Sequence, residues 1–286
     1  MYNRKYTEIT VIGNDKKGVI ARFTMFLFKN NVNIEDLDQN VIKGMFSMTL
    51  HADTSNMSCS KKQLEQKLVA LAKEIGMEVK VRFPGSIDKP KMGILVTKEM
   101  HCLNAILDEY KQGSLNVDIP CIIGSRDDLS RIAEQHNIDF SVYNSSDRHE
   151  NETGMLKKLE EREVDFIVLA RYMKILSPDF VWRYEHRIIN IHPSLLPAFP
   201  GAQAYRQAHE KGVRVAGVTA HFVTMDLDQG PIISQRAFTI SDKDNVETIK
   251  KTGQSLEAEA LVEAVKLYLS GDLTVHWGKV YTKNDF

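Results

Sequence analysis

Only three cysteines occur in the 286 residues, Cys59, Cys102 and Cys121. They are far apart and odd in number, which argues against a disulfide framework. There is no Cys-x-x-Cys. Neither His149-Glu150 nor His209-Glu210 has the second histidine that a zinc-binding His-Glu-x-x-His helix requires, because Thr153 and Val213 stand there. No metal is therefore expected. Excess charge is also missing: 37 basic against 38 acidic residues leave a net charge of −1, which points to neither a nucleic-acid partner nor a membrane surface. The opening Met1-Tyr2-Asn3-Arg4-Lys5-Tyr6 is no signal peptide, and no apolar run approaches the length of a membrane span. A reducing, cytoplasmic setting is the expectation, and the Asn-x-Ser/Thr triplets at Asn56, Asn144 and Asn151 are then chance matches. Gly13 and Gly18 make no dinucleotide fingerprint, and no Walker sequence, internal repeat or low-complexity tract is present.

What is there is an ordinary globular composition, 43% apolar and 26% charged, at a length suited to two domains. Residues 1–83 read as βαββαβ. Residues 5–12 alternate as a strand ending at Gly13, and Val19, Phe23, Phe26 and Leu27 mark the buried stripe of a helix. Residues 32–41 and 45–52 pair around Lys43-Gly44. A second helix carries Leu64, Leu68, Leu71 and Ile75, and residues 78–83 close a ferredoxin-like unit. Two prolines and a glycine make residues 84–91 a linker.

Residues 92–286 alternate strands (92–97, 117–123, 166–169) with helices (103–110, 129–136, 150–163), which implies a largely parallel sheet covered on both faces. Segments 213–223 and 232–240 have no helix between them, so the sheet should be mixed. The chain is expected to end with a helix presenting Leu261, Ala264, Val265 and Tyr268.

The chemistry concentrates in Arg187-Ile188-Ile189-Asn190-Ile191-His192-Pro193. β-Branched residues crowd a short run that Pro193 must end, so this reads as a buried strand. Alternation puts Asn190 and His192 on one face, at the carboxyl end where open α/β sheets hold their ligands. Later, Asp226-Leu227-Asp228-Gln229-Gly230-Pro231 offers a carboxylate in a turn. Amide, imidazole and carboxylate can together stabilise an oxyanion, move a proton and orient a water. Each alone has an ordinary reading, as a hydrogen-bonded pair or a simple turn. His221, on an alternating strand, reads as a satisfied structural histidine or a support for Asp228.

The whole block, Asn190 to Ala202 with Thr219-Ala220-His221-Phe222-Val223 and Leu227 to Ile233, resembles the signature of folate-dependent formyltransferases and formyl hydrolases. The resemblance covers roughly residues 90–286 and implies a Rossmann-like formyltransferase domain. It implies that Asn190, His192 and Asp228 are catalytic. It further implies that Arg171, Tyr172, Met173 and Leu176 line a folate pocket, with backbone groups facing the pterin and Leu227 closing the other side. It also implies a cis peptide at Leu196-Pro197. Asn14-Asp15-Lys16-Lys17-Gly18, with Leu27 and Asn33-Ile34, resembles the ACT domain, a regulatory module that commonly binds amino acids between paired copies. Asn14, Asp15, Gly18, Asn33 and Ile34 are then candidate effector contacts, with glycine or methionine as the ligand, and a homo-oligomer is expected.

One departure concerns the acceptor. Relatives that formylate glycinamide ribonucleotide hold its phosphate on a glycine- and serine-rich loop, and here Lys98-Glu99-Met100 stand in that loop. Glu99 would repel a phosphate, which favours water. The resemblance thus implies hydrolysis of 10-formyltetrahydrofolate, as substrate and not as cofactor, to formate and tetrahydrofolate, supplying formate for purine synthesis. The alternatives are formyl transfer to glycinamide ribonucleotide or a catalytically silent amino-acid sensor. Formylation of methionyl-tRNA would want a basic surface and a further C-terminal domain.

Overall fold

The computed structural model describes residues 6–83, 85 and 89–282. The chain divides into two units, 1–88 and 89–286. The expected linker thus falls at the division. Its positions 84 and 86–88, and the expected strand start at 5, lie outside the described residues.

The first unit runs β1 (Thr7–Asn14), α1 (Val19–Lys29), β2 (Asn33–Ile42), β3 (Met45–Asp53), α2 (Lys61–Glu74) and β4 (Met77–Arg82). The sheet order β2-β3-β1-β4 with antiparallel pairs is the ferredoxin-like arrangement. Helix α1 buries Val19, Phe23 and Leu27 and α2 buries Leu64, Leu68 and Ala72, meeting Ile9, Val11, Met48 and Leu50 of the sheet. Helix α2 starts on a reciprocal cap: Gln63 N–H donates to Ser60 Oγ at 3.3 Å, and Ser60 N–H donates to Gln63 Oε1 at 3.0 Å.

The second unit contains β5 (Lys91–Val96), α3 (His101–Lys111), β6 (Asp118–Gly124), α4 (Ser130–Gln135), β7 (Phe140–Val142), α5 (Arg148–Glu161), β8 (Phe166–Ala170), α6 (Pro178–Arg183), β9 (Ile188–His192), α7 (Ala204–Glu210), β10 (Val215–Phe222), β11 (Ile232–Thr239), α8 (Val246–Ser270), β12 (Thr274–His276) and β13 (Lys279–Tyr281). The sheet order is β11-β10-β9-β8-β5-β6-β7. From β9 to β7 the pairs are parallel, while β10 runs antiparallel to both β9 and β11. The sheet is therefore mixed, as expected. Chain order reverses between β5 and β8, which makes the carboxyl ends of β5, β8 and β9 the switch point where such sheets bind ligands.

Two expectations are corrected and one helix is new. The polar stretch before α5 includes the short strand β7, which only three pairings to β6 define. Helix α7 escapes the sequence reading, because its seven residues are too few for a periodicity to register. The last helix is 25 residues long, opening on Asn245, whose Oδ1 accepts from Thr248 N–H at 2.9 Å, and closing on Gly271 at φ 68°. The chain does not end with it, since the hairpin β12–β13 follows.

Candidate active site

Strand β9 is largely buried, Ile188, Ile189 and Ile191 packing inward while Asn190 and His192 share one face. Asn190 pairs with Leu169 of β8 on one side and with His221 of β10 on the other. Direct opposition across antiparallel strands brings side chains within contact, and Asn190 Nδ2 lies 3.2 Å from His221 Nε2. The register of β10 shifts between Ala220 and His221, and such a bulge re-aims a side chain. The His221 Nδ1–H donates to the carbonyl of Phe222 at 2.8 Å, so Nε2 is left to accept from the Asn190 amide. Burial pulls the His221 pKa below its ordinary 6.5, with the Phe222 carbonyl and Asp228 opposing and His192 assisting. The neutral ring is what the hydrogen bonds require. His221 is thus satisfied structurally, and the amide it orients belongs to the site.

Asp228 sits in a turn at φ 57°, a left-handed backbone that Asp tolerates better than most residues. The turn closes tightly on β10: a Cβ at Gly230 would lie 1.7 Å from the Phe222 carbonyl oxygen, so only glycine fits. Asp228 Oδ2 accepts from Gly201 N–H at 2.7 Å and lies 3.3 Å from His192 Nδ1. Oδ1 is 4.0 Å from His221 Nε2, outside hydrogen-bond range. Burial raises the Asp228 pKa, but the hydrogen bonds from His192 and Gly201 and the two imidazoles outweigh it and hold the group below its ordinary 3.8. His192 Nε2–H donates to the Phe199 carbonyl at 3.0 Å. Both ring nitrogens of His192 therefore face acceptors.

The loop that carries these acceptors is pinned by a buried hydroxyl. Thr219 Oγ1 donates to Ser194 C=O at 2.7 Å and accepts from Leu196 N–H at 3.0 Å. The Leu196–Pro197 peptide is cis, as the resemblance implies.

A cavity of about 630 Å³ opens in front of Asn190, His192 and Asp228. Arg171, Tyr172, Met173, Leu176 and Leu227 all line it. Its lips carry exposed apolar side chains, Met173, Ile175 and Leu227, and its floor the buried Leu169, Leu176 and Val181, a slot suited to a flat aromatic ligand. Within this segment several groups have partners in the protein. Met173 N–H donates to Thr97 Oγ1 at 3.0 Å, and the Tyr172 hydroxyl turns into the core toward Met155 Sδ at 3.7 Å. Arg171, at φ 61°, sends its guanidinium to the fully buried Glu257, with Nε 3.2 Å from the carboxylate. Glu99 also lines the cavity, and Gln254 Nε2 donates to it at 3.0 Å while Lys250 Nζ lies 3.5 Å away.

The candidate effector residues lie in the first unit. Asn14 ends β1 opposite Met45, Asp15 N–H donates to Gly44 C=O at 2.8 Å, and Gly18, at φ 85°, precedes α1 without a side-chain cap. Asn33 begins β2 opposite Asp53, and Ile34 packs against the core. Met45 and Asp53 are the two ends of β3, so the Asn14 and Asn33 groups sit roughly 25 Å apart within one copy.

Sequence reasoning misses Gly201, Phe199 and Glu257. A signal exists for the last: Glu257 lies on the same helical stripe as Leu261, Ala264 and Val265, where an acid is out of place.

Both units match known families. Residues 90–265 match the formyl transferase family and residues 6–82 the ACT domain. The chain is 36% identical over 275 residues to the formyltetrahydrofolate deformylase of Bacillus subtilis (strain 168), covering 94% of this chain and 91% of that one. The solved structure of a formyltetrahydrofolate deformylase from Pseudomonas syringae pv. tomato matches with a TM-score of 0.68 at 28% identity, over 97% of this chain and 94% of that one. A glycinamide ribonucleotide transformylase from Symbiobacterium toebii matches with a TM-score of 0.64 at 34% identity, over 68% of this chain and 94% of that one.

Proposed function

The chain belongs to the formyltetrahydrofolate deformylase family, an ACT domain joined to a formyl transferase domain, and from that footing we propose that it hydrolyses 10-formyltetrahydrofolate to formate and tetrahydrofolate. The observation that carries the mechanism is the contact between Asp228 Oδ2 and His192 Nδ1 at 3.3 Å, on the strand face that also bears the Asn190 amide. The pterin enters the apolar slot and the formyl group on N10 reaches Asn190. Asp228, ionised and with Oδ1 uncommitted to His192 or Gly201, orients a water. The water oxygen attacks the formyl carbon, and the carbonyl electron pair moves onto oxygen, where the Asn190 Nδ2–H receives it. Collapse breaks the C–N10 bond; of the two protons the attacking water brings, one ends on N10, passed along Asp228 or replacing a proton that His192 gives up, and the other leaves to solvent as formic acid ionises to formate. Formate and tetrahydrofolate result, and no metal or redox partner enters the balance.

A second reading, formyl transfer to glycinamide ribonucleotide, draws on the transformylase likeness. Glu99 opposes it: a carboxylate on the wall of the cavity, held by Lys250 and Gln254, disfavours a phosphate there. Purified protein given 10-formyltetrahydrofolate and no acceptor should release formate stoichiometrically with tetrahydrofolate. Turnover that starts only when glycinamide ribonucleotide is added would establish the second reading instead. The reaction feeds formate to purine synthesis in the cytoplasm, and the ACT domain adjusts it to glycine or methionine in a homo-oligomer.

A further inference from the structure

Glu257 is fully buried, yet three elements send polar groups to its carboxylate. Tyr205 of α7 donates its hydroxyl to Oε1 at 2.6 Å, His101 Nε2 at the start of α3 lies 2.9 Å from Oε2, and Arg171 Nε after β8 lies 3.2 Å from the same oxygen. Burial alone would raise the Glu257 pKa, and these partners outweigh it and keep the group ionised. The helix makes room for the contact. Gly253, one turn before Glu257, would as any larger residue put its Cβ 2.1 Å from the Tyr205 hydroxyl oxygen. A glycine inside a helix is unfavourable by itself, so this one marks an approach the fold requires.

His101, Cys102 and Glu257 offer ligand atoms within 4.8 Å of one another, a spacing that a divalent cation could use. Arg171 already places a positive charge on that carboxylate, and burial, with Glu257 beside it, pushes the Cys102 thiol well above its ordinary range. The cluster is a charge-compensated hub.

Both arms of the hub lead to the site. Tyr205 lies in the first turn of α7, four residues after Gly201, whose N–H holds Asp228. Arg171 opens the loop of Met173, Ile175 and Leu176 that lines the cavity. We propose that Glu257 is a positioning residue for the hydrolysis: through Tyr205 it sets the Gly201 N–H that holds Asp228, and through Arg171 it sets the wall against which the pterin packs. This rests on the deformylase reading above.

Tyr205→Phe removes one hydroxyl and keeps the ring, Glu257→Gln keeps the shape and removes the charge, and the double variant tests their coupling. Formate release by the wild type comes first; its absence would sink the deformylase reading itself, whatever the variants do. Given wild-type activity, Tyr205→Phe should lower kcat about 10-fold with KM within about twofold, since a small misplacement of one reacting group is costly. The Gly201 N–H favours the ionised Asp228, so loosening it should move the acid limb of the kcat profile to higher pH, while His192 and His221, the titrating groups facing Asp228 from β9 and β10, are unaltered. Glu257→Gln should lower kcat and also raise KM, and the double variant should be no worse than Glu257→Gln, because the two changes act on one unit. Variants with a lower Tm but unchanged kcat, KM and acid limb would reduce Glu257 to core support and overturn the proposal, as would effects that multiply in the double variant. Should Glu257→Gln fail to fold, Tyr205→Phe alone decides between these outcomes.

Discussion

The Asn190 amide and the His221 imidazole face each other across paired strands, Nδ2 to Nε2 at 3.2 Å. The carbonyl of Phe222 dictates the tautomer by claiming Nδ1–H, so the ring can only accept from the amide. One amide hydrogen is thereby consumed, and the Asn190 side chain lines the cavity. Replacing His221 by Leu leaves Asn190 without its acceptor. Formate release should fall by about 10- to 100-fold in kcat, less than the roughly 10²–10³-fold that follows outright loss of an oxyanion donor. An unchanged kcat in a folded His221→Leu protein would show that Asn190 is oriented by something else.

Asp228→Asn keeps the size of the side chain and the Gly201 hydrogen bond to its carbonyl oxygen, and removes the charge. Secondary structure and Tm should remain close to wild type. The turnover should drop by at least about 10²-fold, the lower range for a lost proton-transfer group. Near-normal hydrolysis by the folded variant would remove Asp228 from the mechanism.

Stability should respond to pH through His221. Its folded pKa is depressed below 6.5, so below that value the unfolded chain binds a proton that the folded ring refuses. Folding free energy is therefore lost as pH falls through 6.5 toward the folded value. The depressed carboxylates of Asp228 and Glu257 act lower: their stabilisation is present above 3.8 and 4.5 and is lost as pH falls through their folded values. Thermal melts of wild type and His221→Asn between about pH 7.5 and 5 should give a steeper decline in Tm for the wild type. Parallel curves would contradict the neutral, buried state of the ring.

Much of strand β9 is legible in the sequence itself. Two-residue alternation and the β-branched run locate β9, and the alternation rule puts Asn190 and His192 on one face without reference to the fold. Leu227 and Asp228 stand out as a turn beside a proline. What sequence periodicity does not carry is register across strands, so the Asn190–His221 pairing is invisible there although His221 itself draws notice. Backbone partners such as Gly201 N–H and the Phe199 carbonyl have no side-chain signature at all. Helix α7 is too short to declare a period, whereas Glu257 carries a signal, an acid on the apolar stripe of Leu261, Ala264 and Val265, that only its burial makes decisive. The Asn14 and Asn33 groups read as one cluster because both resemble parts of one module, and the strand order separates them.

Glu99 supplies a test of acceptor choice. With its carboxylate replaced in Glu99→Gln, Lys250 loses its partner and faces the cavity as an uncompensated cation. Inorganic phosphate should then inhibit formate release at millimolar concentration in the variant and much less in the wild type, because an unpaired ammonium beside a cavity attracts anions. Equal phosphate sensitivity in the two proteins would mean that Glu99 does not guard that end of the site.

The spacing of the effector candidates makes the last prediction specific. Asn14 and Gly18 sit at one end of the first unit's sheet and Asn33 at the other, roughly 25 Å apart by strand rise, so one small amino acid cannot touch both within a single copy. If both groups serve one ligand, the ligand lies between two antiparallel copies, with Asn14 and the uncapped start of α1 from one chain and Asn33 from its partner. The free N–H groups of that helix start suit a carboxylate, and a closed two-fold pair yields two equivalent sites. Calorimetry on the full chain with glycine and with methionine should find one of them binding at one molecule per chain and altering formate release. Asn14→Ala and Asn33→Ala should each abolish binding. Mixed dimers of the two variants should recover one site in two, because one of the two sites then carries both substitutions and the other carries neither. Binding that survives Asn33→Ala, or mixed dimers that recover nothing, would confine the site to one chain or remove it from these residues. Such a site could reach the catalytic unit only by favouring one arrangement of subunits, so the variants that lose binding must also lose the effect on formate release.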